Sequence, residues 1–458
     1  MTSWIALTLL YPLFGAVLAT VPRVPLVVLR FWLASAAIPA VVAALVLPEG
    51  ARLTVDGLML GGELGLRNAT ARTFLLLTGG LWTLAGLFAW AYTHTLERVR
   101  AYTVFSLLSL LGNVGVFLAT DVAFFYTAFA LMTFASAGLV LHRRNDAATT
   151  ATVLYVFMAV VGEVLILTAL LWMTHRAGGI AIEGLTAAAA GMPHVGWLVG
   201  VLLFGFGVKA GLLGVHVWLP LAHPVAPTPA SAVLSGAMVK AGIFGWLTFL
   251  PGGHAAFPEW GVVCLVLGLG AAFGAAYAGF TQTNAKAALA YSSISQLGLM
   301  TAAVGIGLND PKAWPVVVGV LGFFAFNHAF AKGALFMADG ASHAVHDRAG
   351  RRFVLAGATL AALAIAGFPM TGGEVGKAAL KKLADYAPGG WGSALPSVLM
   401  ASALATTLLL GRFVSLLGQR MQTGAGDHHE PPAPTPADRG APATWGPPAR
   451  TTTSPCPS

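Results

Sequence analysis

Six ionisable residues lie inside long apolar segments of the chain or directly beside a break in one, where contact with lipid would make a charge costly. Their positions are Glu163, Lys209, Lys240, His328, Lys332 and Lys377. A charged side chain at the centre of a membrane helix costs roughly 2.5–3.5 kcal/mol on insertion scales. Four lysines and one glutamate facing lipid would together cost on the order of 10–15 kcal/mol. We therefore expect these groups to face the protein interior, to pair with one another or to contact water.

These residue types suit the transfer of protons. Burial disfavours the charged form of a lysine, so a buried lysine gives up its proton readily, and a nearby glutamate stabilises the charged form again. His328 adds a group that titrates near neutral pH, and it lies one helical turn before Lys332 on the same face. Lysines near a helix end can instead extend to the membrane surface. That alternative suits Lys332 and Lys377, but not Lys240 in the middle of its segment.

The composition indicates a membrane protein. Hydrophobic residues make up 57% of the 458 residues and charged residues 9%, with a mean hydropathy of +0.79. A soluble domain carries about 25% charged residues, so a soluble fold is excluded. The net charge of +8 comes from basic residues scattered between apolar runs, which is typical of residues flanking membrane helices and not of a nucleic-acid-binding surface. The two cysteines have no disulfide or metal-site spacing.

Thirteen apolar segments predict an all-α polytopic membrane protein of about 13 transmembrane helices, since about 20 helical residues span ~30 Å of hydrocarbon. They cover residues 3–21, 25–47, 72–94, 103–119, 121–141, 149–173, 195–214, 228–250, 258–280, 289–308, 313–338, 353–370 and 391–419. The first is interpreted as a membrane helix and not as a removed signal peptide, because it lacks a basic n-region.

The seventh and twelfth segments run into clusters of proline and glycine, at Leu219–Pro229 and at Gly367–Gly373. Proline removes a backbone donor and clashes with the preceding turn, so both helices should be interrupted. Broken helices at membrane depth are tolerated where protein or water receives the freed polar groups, and a pair of them is typical of transporters. Three ionisable residues beside the two interruptions are secondary candidates: His216, His223 and Glu374.

Outside the apolar segments, two stretches have their own character. Residues 48–70 alternate weakly, as in Leu53–Val55 and Leu58–Leu60, and predict a small hairpin outside the membrane. Residues 421–458 are rich in proline, threonine and alanine, which predicts a disordered tail.

The basic residues predict an orientation. One set of loops collects Arg23, Arg98, Arg100, Arg143, Arg144, Lys286, Arg348, Arg351, Arg352 and Arg420. The other set holds Arg52, Arg67, Arg72, Arg176, Lys312, Lys381 and Lys382. Short cytoplasmic loops carry the excess of basic residues, so we expect a multi-pass protein of the cell inner (plasma) membrane with its N-terminus outside and its C-terminus in the cytoplasm.

Four motifs occur in order between residues 100 and 385. They are His216–Pro224, Pro227–Ala232, Lys286–Gly298 and Asn327–Phe336. With these motifs the chain resembles the antiporter-like proton-translocating family, which includes membrane subunits of complex I (NADH:quinone oxidoreductase), group 4 hydrogenases and Mrp sodium/proton antiporters. The sequence of His216–His223 most resembles the hydrogenase-linked branch.

The resemblance implies two inverted five-helix repeats, segments four to eight and nine to thirteen, each with a broken helix. It divides the chain into N-terminal transmembrane helices with the hairpin (1–99), an antiporter-like core (100–420) and the tail. It also implies residue roles. Lys209 would be the central lysine of the first half-channel and Lys240 the connecting lysine. His328 and Lys332 would form the bridge to the second half-channel, and Lys377 its exit group.

One departure from the family pattern concerns its acid. The family usually has a glutamate on its fifth helix that partners the lysine of the broken helix, and here Ala130 stands at that position. Glu163, at similar depth on the next helix, is the candidate replacement for the partner of Lys209.

The leading hypothesis is a proton-translocating subunit of a complex I-like or hydrogenase-like assembly, with other membrane subunits and the lipid bilayer as partners. No cofactor is expected, because the chain lacks both a cysteine set for iron–sulfur clusters and a Gly-rich dinucleotide fingerprint. Redox chemistry would then belong to partner subunits. Sodium/proton antiport, energised solute uptake and a non-conducting scaffold are the alternatives. A quinone-processing enzyme is a weaker one, since no quinone-pocket motif is found.

Overall fold

The computed structural model describes residues 3–54 and 62–423, which form a helical bundle with one small hairpin. The helices are α1 Ser3–Thr20, α2 Leu26–Ser35, α3 Ile38–Val46, α4 Ala69–Tyr92, α5 Val99–Leu118, α6 Val122–Val140, α7 Asp146–Ala177, α8 Leu185–Ala190, α9 Val195–Ala210, α10 Trp218–Val225, α11 Thr228–Val233, α12 Val239–Phe249, α13 Pro258–Phe280, α14 Ala285–Asn309, α15 Trp314–Ser342, α16 Arg348–Ala366, α17 Gly372–Lys382 and α18 Trp391–Thr423. A π turn, Leu234–Met238, joins α11 to α12, and the strands are β1 Ala51–Thr54 and β2 Glu63–Leu66. Short 3₁₀ turns cover Thr93–Thr95, Leu141–Arg143 and Leu383–Tyr386.

The predicted all-α membrane fold is confirmed. Within the described residues, twelve helical spans are long and apolar enough to cross a membrane, and the 16-residue α9 is a shorter apolar helix at the remaining predicted segment. Large apolar side chains such as Phe157, Val164 and Leu171 are exposed along one side of α7, as expected of a surface that faces lipid. The opposite side of α7 carries Tyr155 and Glu163, which are buried.

The helix ends fall on two faces of the bundle. The hairpin face carries β1, β2 and the connections at residues 119–121, 178–194, 250–257, 309–313 and 383–390. The arginine face carries the connections at residues 21–25, 93–98, 141–145, 281–284 and 343–347, and α18 ends there. Contacts within each face support this division: Arg100 donates to the carbonyl of Val21 at the arginine face, and Asp121 bridges Ala181 at the hairpin face.

The two halves of the core repeat one order of elements with opposite orientation. Helices α5 to α12 make five crossings that start at the arginine face, and α13 to α18 make five that start at the hairpin face. The fourth crossing is broken in each half, between α9 and α10 and between α16 and α17. Since five is an odd number, the second set necessarily begins on the opposite side, which gives inverted repeats.

The sequence predicted the first break at the prolines, and this prediction is wrong. Helix α9 ends at Ala210, and Gly211 follows in the left-handed conformation, with φ of 73°. Pro220 and Pro224 both lie inside α10. Pro220 is tolerated because an amide in the first turn of a helix has no intrahelical acceptor.

The second break matches the prediction closely. Helix α16 ends at Ala366, Gly367 adopts φ of 84°, and helix resumes as α17. A glycine therefore follows the last residue of each half-helix, because a side chain at a left-handed position is strained. The two breaks use the same backbone solution although their sequences differ.

The hairpin is also found, with Ala51–Thr54 antiparallel to Glu63–Leu66. Arg52 pairs across it with Glu63 at 3.0 Å and reaches Glu183, before α8, at 2.7 Å. The hydrogen bond that Arg52 donates to Glu183 raises the pKa of Arg52. The strand residues Val55 and Leu58–Leu60 of the sequence pattern lie outside the described residues, as does the Pro-rich tail from residue 424.

Candidate functional site

Lys209 lies in the last turn of α9, next to the first break, and its side chain is buried. Its Nζ donates a hydrogen bond to the hydroxyl of Tyr155 on α7 at 2.8 Å. The same ammonium lies 5.3 Å from the ring centroid of Tyr155 and 5.9 Å from that of Trp218 on α10. A cation at a helix C-terminus is stabilised by the unpaired carbonyls there, and the two rings add cation–π attraction.

Tyr155 is a member of the site that the sequence did not reveal. Its hydroxyl lies 2.6 Å from the Oγ of Ser136 and donates to the carbonyl of Thr133 at 3.0 Å, both on α6. The ring packs edge-on against Trp218 at 4.9 Å. Tyr155 stands eight residues before Glu163, and that spacing, two turns along one helix face, was the signal available in the sequence.

Glu163 lies in the same cavity as Lys209, together with Tyr155 and Thr133. Neither oxygen of its buried carboxylate receives a hydrogen bond from any described residue. The cavity has a volume of about 10 Å³, at the lower limit of what one water molecule needs. A carboxylate and an ammonium that share one small cavity can exchange a proton through a single water.

Lys240 and His328 meet at the centre of the bundle. The Nζ of Lys240, which is 0% exposed, lies 2.7 Å from the Nδ1 of His328 on α15 and donates to the carbonyl of Ser235 at 2.6 Å. Ser235 belongs to the π turn, where the regular helical hydrogen bonding of its carbonyl is disturbed. The contact joins the first half of the core to the second.

Lys332 continues from this contact along α15. Its Nζ donates to the carbonyl of Leu289 at 2.7 Å and to the hydroxyl of Ser292, both on α14. The neighbouring Ser293 lies 2.7 Å from the Oγ of Ser235. Hydroxyl groups of α14 therefore line the space between Lys240 and Lys332, and they can carry hydrogen-bonded proton transfer in a buried region.

The second break holds Lys377. Its buried Nζ donates at 2.7 Å to the carbonyl of Ala366, the last residue of α16. Lys377 therefore satisfies one of the backbone carbonyls that the break leaves unpaired, as a cation at a helix C-terminus does.

Residues 119–388 match the family described as NADH:quinone oxidoreductase/Mrp antiporter, TM, which is more than half of the chain. The chain belongs to this family. The predicted family is thereby confirmed, and all six residues of the predicted pathway lie inside the matched segment.

Two curated relatives of this antiporter-like chain illustrate the range of the family. Hydrogenase-4 component B of Escherichia coli strain K12 is 32% identical over 293 residues, covering 61% of this chain and 43% of the relative. The Na(+)/H(+) antiporter subunit A1 of Staphylococcus aureus (strain bovine RF122 / ET3-1) is 28% identical over 279 residues, covering 58% of this chain and 35% of the relative. The chain thus spans less than half the length of these relatives.

Two solved structures share the fold. The Mrp complex from Dietzia sp. DQ12-45-1b superposes with a TM-score of 0.76 at 26% identity, over 90% of this chain and 46% of that chain. The membrane-bound sulfane sulfur reductase, an archaeal respiratory membrane complex, gives 0.77 at 24% identity, over 90% of this chain and 69% of that chain.

Ala130 is the position at which the resemblance to the family led us to expect an acid. Ala130 is half-buried on α6 and does not line the Lys209 cavity, whereas Phe129 and Thr133 of the same helix do. Glu163 enters that cavity from α7, so the acid nearest to the broken-helix lysine lies on a different helix.

The three secondary candidates have different surroundings. His216 is half-buried in the first break, and its Nδ1 accepts a hydrogen bond from the Gly214 amide at 3.2 Å. Glu374 is exposed and accepts from the Met370 amide at 2.7 Å, while Thr371 caps the same helix by accepting from the Glu374 amide. Glu374 thus accepts from the amide just before the N-cap and donates its own amide to the N-cap hydroxyl, which gives it a role in starting α17. His223 is fully buried in α10.

Several of the basic residues expected in loops lie in the end turns of helices instead. Lys286 is not a loop residue, because α14 begins at Ala285 and buries it, with its Nζ donating to the carbonyl of Ala226 at 2.9 Å. Lys381 and Lys382 lie in the last turn of α17.

A second cavity opens on the hairpin face, with a volume of about 280 Å³. Arg67, Thr70 and Glu183 line it, and its inner wall includes Phe244 on α12. Burial lowers the pKa of Arg67 to about 10, and the charge of Glu183 opposes that shift. Phe244 is buried four residues after Lys240, so it lies about one helical turn from that lysine on the same face of α12.

Proposed function

We propose that the chain is a proton-translocating membrane subunit of a complex I-like or hydrogenase-like assembly. Protons pass along Glu163, Lys209, Lys240, His328, Lys332 and Lys377. The contact of Lys240 with His328 at 2.7 Å carries this proposal, because it joins the two half-channels through two groups that can each hold a proton.

The contact supports transfer for an electrostatic reason. Two positive charges at this distance in a buried site repel strongly, so the pair holds one excess proton at a time. Arrival of a proton on one member therefore favours its departure from the other. Lys332, one turn further along α15, is the next acceptor in the second half.

The energy for net transport comes from outside the chain. Related proteins carry names of hydrogenase and antiporter components. We infer that other membrane subunits supply the driving reaction. We also infer a bacterial plasma membrane location with the arginine face in the cytoplasm, because short loops rich in arginine favour that side.

The test uses membrane vesicles that contain the complete complex. Lys240→Gln removes the central proton carrier with a side chain of similar length, and we expect proton uptake, followed with a pH-sensitive dye, to be abolished while the complex still assembles. Lys312→Gln, in a hairpin-face connection, is the matched control and leaves uptake unchanged. Normal uptake by an assembled Lys240→Gln complex would contradict the proposal.

Sodium coupling is separated by the same preparation. Uptake measured with and without sodium, at constant ionic strength, is expected to be equal for a proton-translocating subunit. A strict requirement for sodium would favour the antiporter alternative.

A further inference from the structure

A buried ionic cluster at the arginine face lies outside the six-residue pathway. Asp339 on α15 is 1% exposed, and its Oδ1 accepts from Arg420 Nη1 at 2.9 Å. The same Arg420 nitrogen lies 2.9 Å from Nε2 of the half-buried His343. Arg420 comes from the end of α18 and keeps 24% of its side chain exposed, so the cluster reaches the protein surface.

The cluster continues the pathway along a single helix face. His328, Lys332 and Asp339 follow one another on α15 at spacings of four and seven residues, and His343, the C-cap with helical backbone angles, follows four residues after Asp339. Those spacings place all four side chains on the same side of the helix. Asp339 therefore lies two turns from Lys332, in the direction of the arginine face.

His223 of α10 lies against the part of α15 between Lys332 and Asp339, where its ring meets Phe336. Its ring stacks on Phe336 with a centroid distance of 4.8 Å, and the Nζ of Lys332 lies 5.9 Å from the centre of the same Phe336 ring. Neither ring nitrogen of His223 has a hydrogen-bond partner among the described residues, although the side chain is 0% exposed. A buried imidazole with both nitrogens unbonded has a free site to receive a proton and another to release it.

Positive charges from two other helices act on Asp339. Arg420 approaches from α18, and Lys286 of α14 lies close enough for its charge to attract the carboxylate. The positive charges of Lys286 and Lys332 also lie close enough to His223 to disfavour a positive charge on its ring. A buried carboxylate needs such compensation, yet Oδ2 of Asp339 has no partner among the described residues. This oxygen can accept a proton without first breaking a hydrogen bond.

We propose that Asp339 is a further proton-carrying residue, which connects Lys332 to the arginine face through His223 and is controlled by its ion pair with Arg420. Protonation of Asp339 neutralises its charge and weakens the pair, so that the partly exposed Arg420 turns toward water and opens the route. Loss of the proton toward Lys332 restores the carboxylate and the pair. This proposal rests on the proton-translocating function proposed above.

The experiment measures proton uptake in vesicles with the complete complex. Asp339→Asn keeps the shape and removes the proton-accepting charge, and we expect uptake to fall by about tenfold or more, equivalent to a barrier higher by about 1.4 kcal/mol. Asp339→Glu restores at least part of the rate. The matched control is Asp347→Asn, which removes one negative charge at the same face while asparagine still caps α16.

A purely structural ion pair is distinguished by exchanging the charges. Asp339→Arg combined with Arg420→Asp rebuilds the pair, so assembly and thermal stability recover, but uptake stays low because the buried carboxylate has moved. Full recovery of uptake in the exchanged variant would overturn the proposal. An unchanged rate of uptake in Asp339→Asn, together with no uptake in Lys240→Gln, would also overturn the role of Asp339 but would leave the proposed proton-translocating function intact. Normal uptake in both single variants would overturn the function as well.

Discussion

The ammonium of Lys209 donates a hydrogen bond to the hydroxyl of Tyr155 at 2.8 Å, whereas Glu163, two turns further along the same helix, accepts none from the described residues. Tyr155 thus fixes Lys209 at the helix break, and the carboxylate stays available to receive a proton. This arrangement differs from a direct lysine–glutamate pair. The roles of Tyr155 and Glu163 can therefore be tested by separate substitutions.

Removal of the Tyr155 hydroxyl tests the positioning role. Tyr155→Phe retains the ring that packs against Trp218 but leaves Lys209 without its hydrogen-bond acceptor. We expect proton uptake by vesicles to fall about tenfold, corresponding to about 1.4 kcal/mol in the barrier. Tyr277→Phe, at a residue that is 75% exposed, is the control and has no effect. Equal rates for the two variants would show that the hydroxyl is dispensable.

Neutralisation of Glu163 tests the replacement of the family acid. Glu163→Gln should abolish uptake, because the Lys209 cavity then holds no acid. Glu259→Gln, at an exposed position in the first turn of α13, serves as the control. Adding Ala130→Glu to Glu163→Gln returns an acid to the family position, one turn from Thr133, and should recover part of the uptake. A fully active Glu163→Gln variant would remove Glu163 from the pathway.

A methyl group at the second break tests its geometry. Gly367→Ala puts a side chain at φ of 84°, a strain of about 1–2 kcal/mol, and its Cβ would lie 2.8 Å from Cδ of Lys377. We expect lower thermal stability of the purified complex and slower uptake.

The same substitution at Gly357 is the control for this prediction. Gly357 lies within α16 and has no atom near its Cβ position, so alanine there stabilises the helix by about 0.5–1 kcal/mol. If Gly367→Ala behaves like Gly357→Ala, the break does not depend on its glycine.

The ring of Phe244 is expected to seal the pathway from the hairpin-face cavity. It packs against Phe74 and Phe117 at centroid distances of 5.3 and 5.0 Å. Phe244→Ala opens space between that cavity and Lys240, so passive proton leak through undriven vesicles should rise. Phe157→Ala, on the exposed side of α7, leaves the leak unchanged. No increase with Phe244→Ala would show that other side chains form the seal.

The orientation can be read by labelling single cysteines in a cysteine-free background. Thr186→Cys lies beside the hairpin-face cavity, and Thr281→Cys lies in the α13–α14 connection at the arginine face. With a membrane-impermeant maleimide on intact cells, we expect labelling of the first and protection of the second. The reverse pattern would invert the assigned topology.

The sequence by itself determined the membrane class, the helix order and the second break. Apolar runs of sufficient length become membrane helices wherever they occur, and Gly367–Gly373 cannot continue a regular helix in any context. It also identified the charged residues, because their desolvation cost is a property of each segment alone. It placed the first break wrongly, since proline in a first turn is compatible with helix and Gly211 gave no stronger local signal than other glycines.

Only the tertiary structure decided which of those groups meet. Lys240 and His328 are 88 residues apart, and their contact depends on how the π turn before α12 packs against α15. Tyr155 in an apolar helix is indistinguishable from an ordinary core residue until α9 brings Lys209 to its hydroxyl. Asp339 became a candidate only because the structure pairs it with Arg420, which lies at the end of α18. The cost of burying a charged side chain depends on its own segment and can be judged from the sequence. The partner that offsets this cost depends on how distant helices pack together.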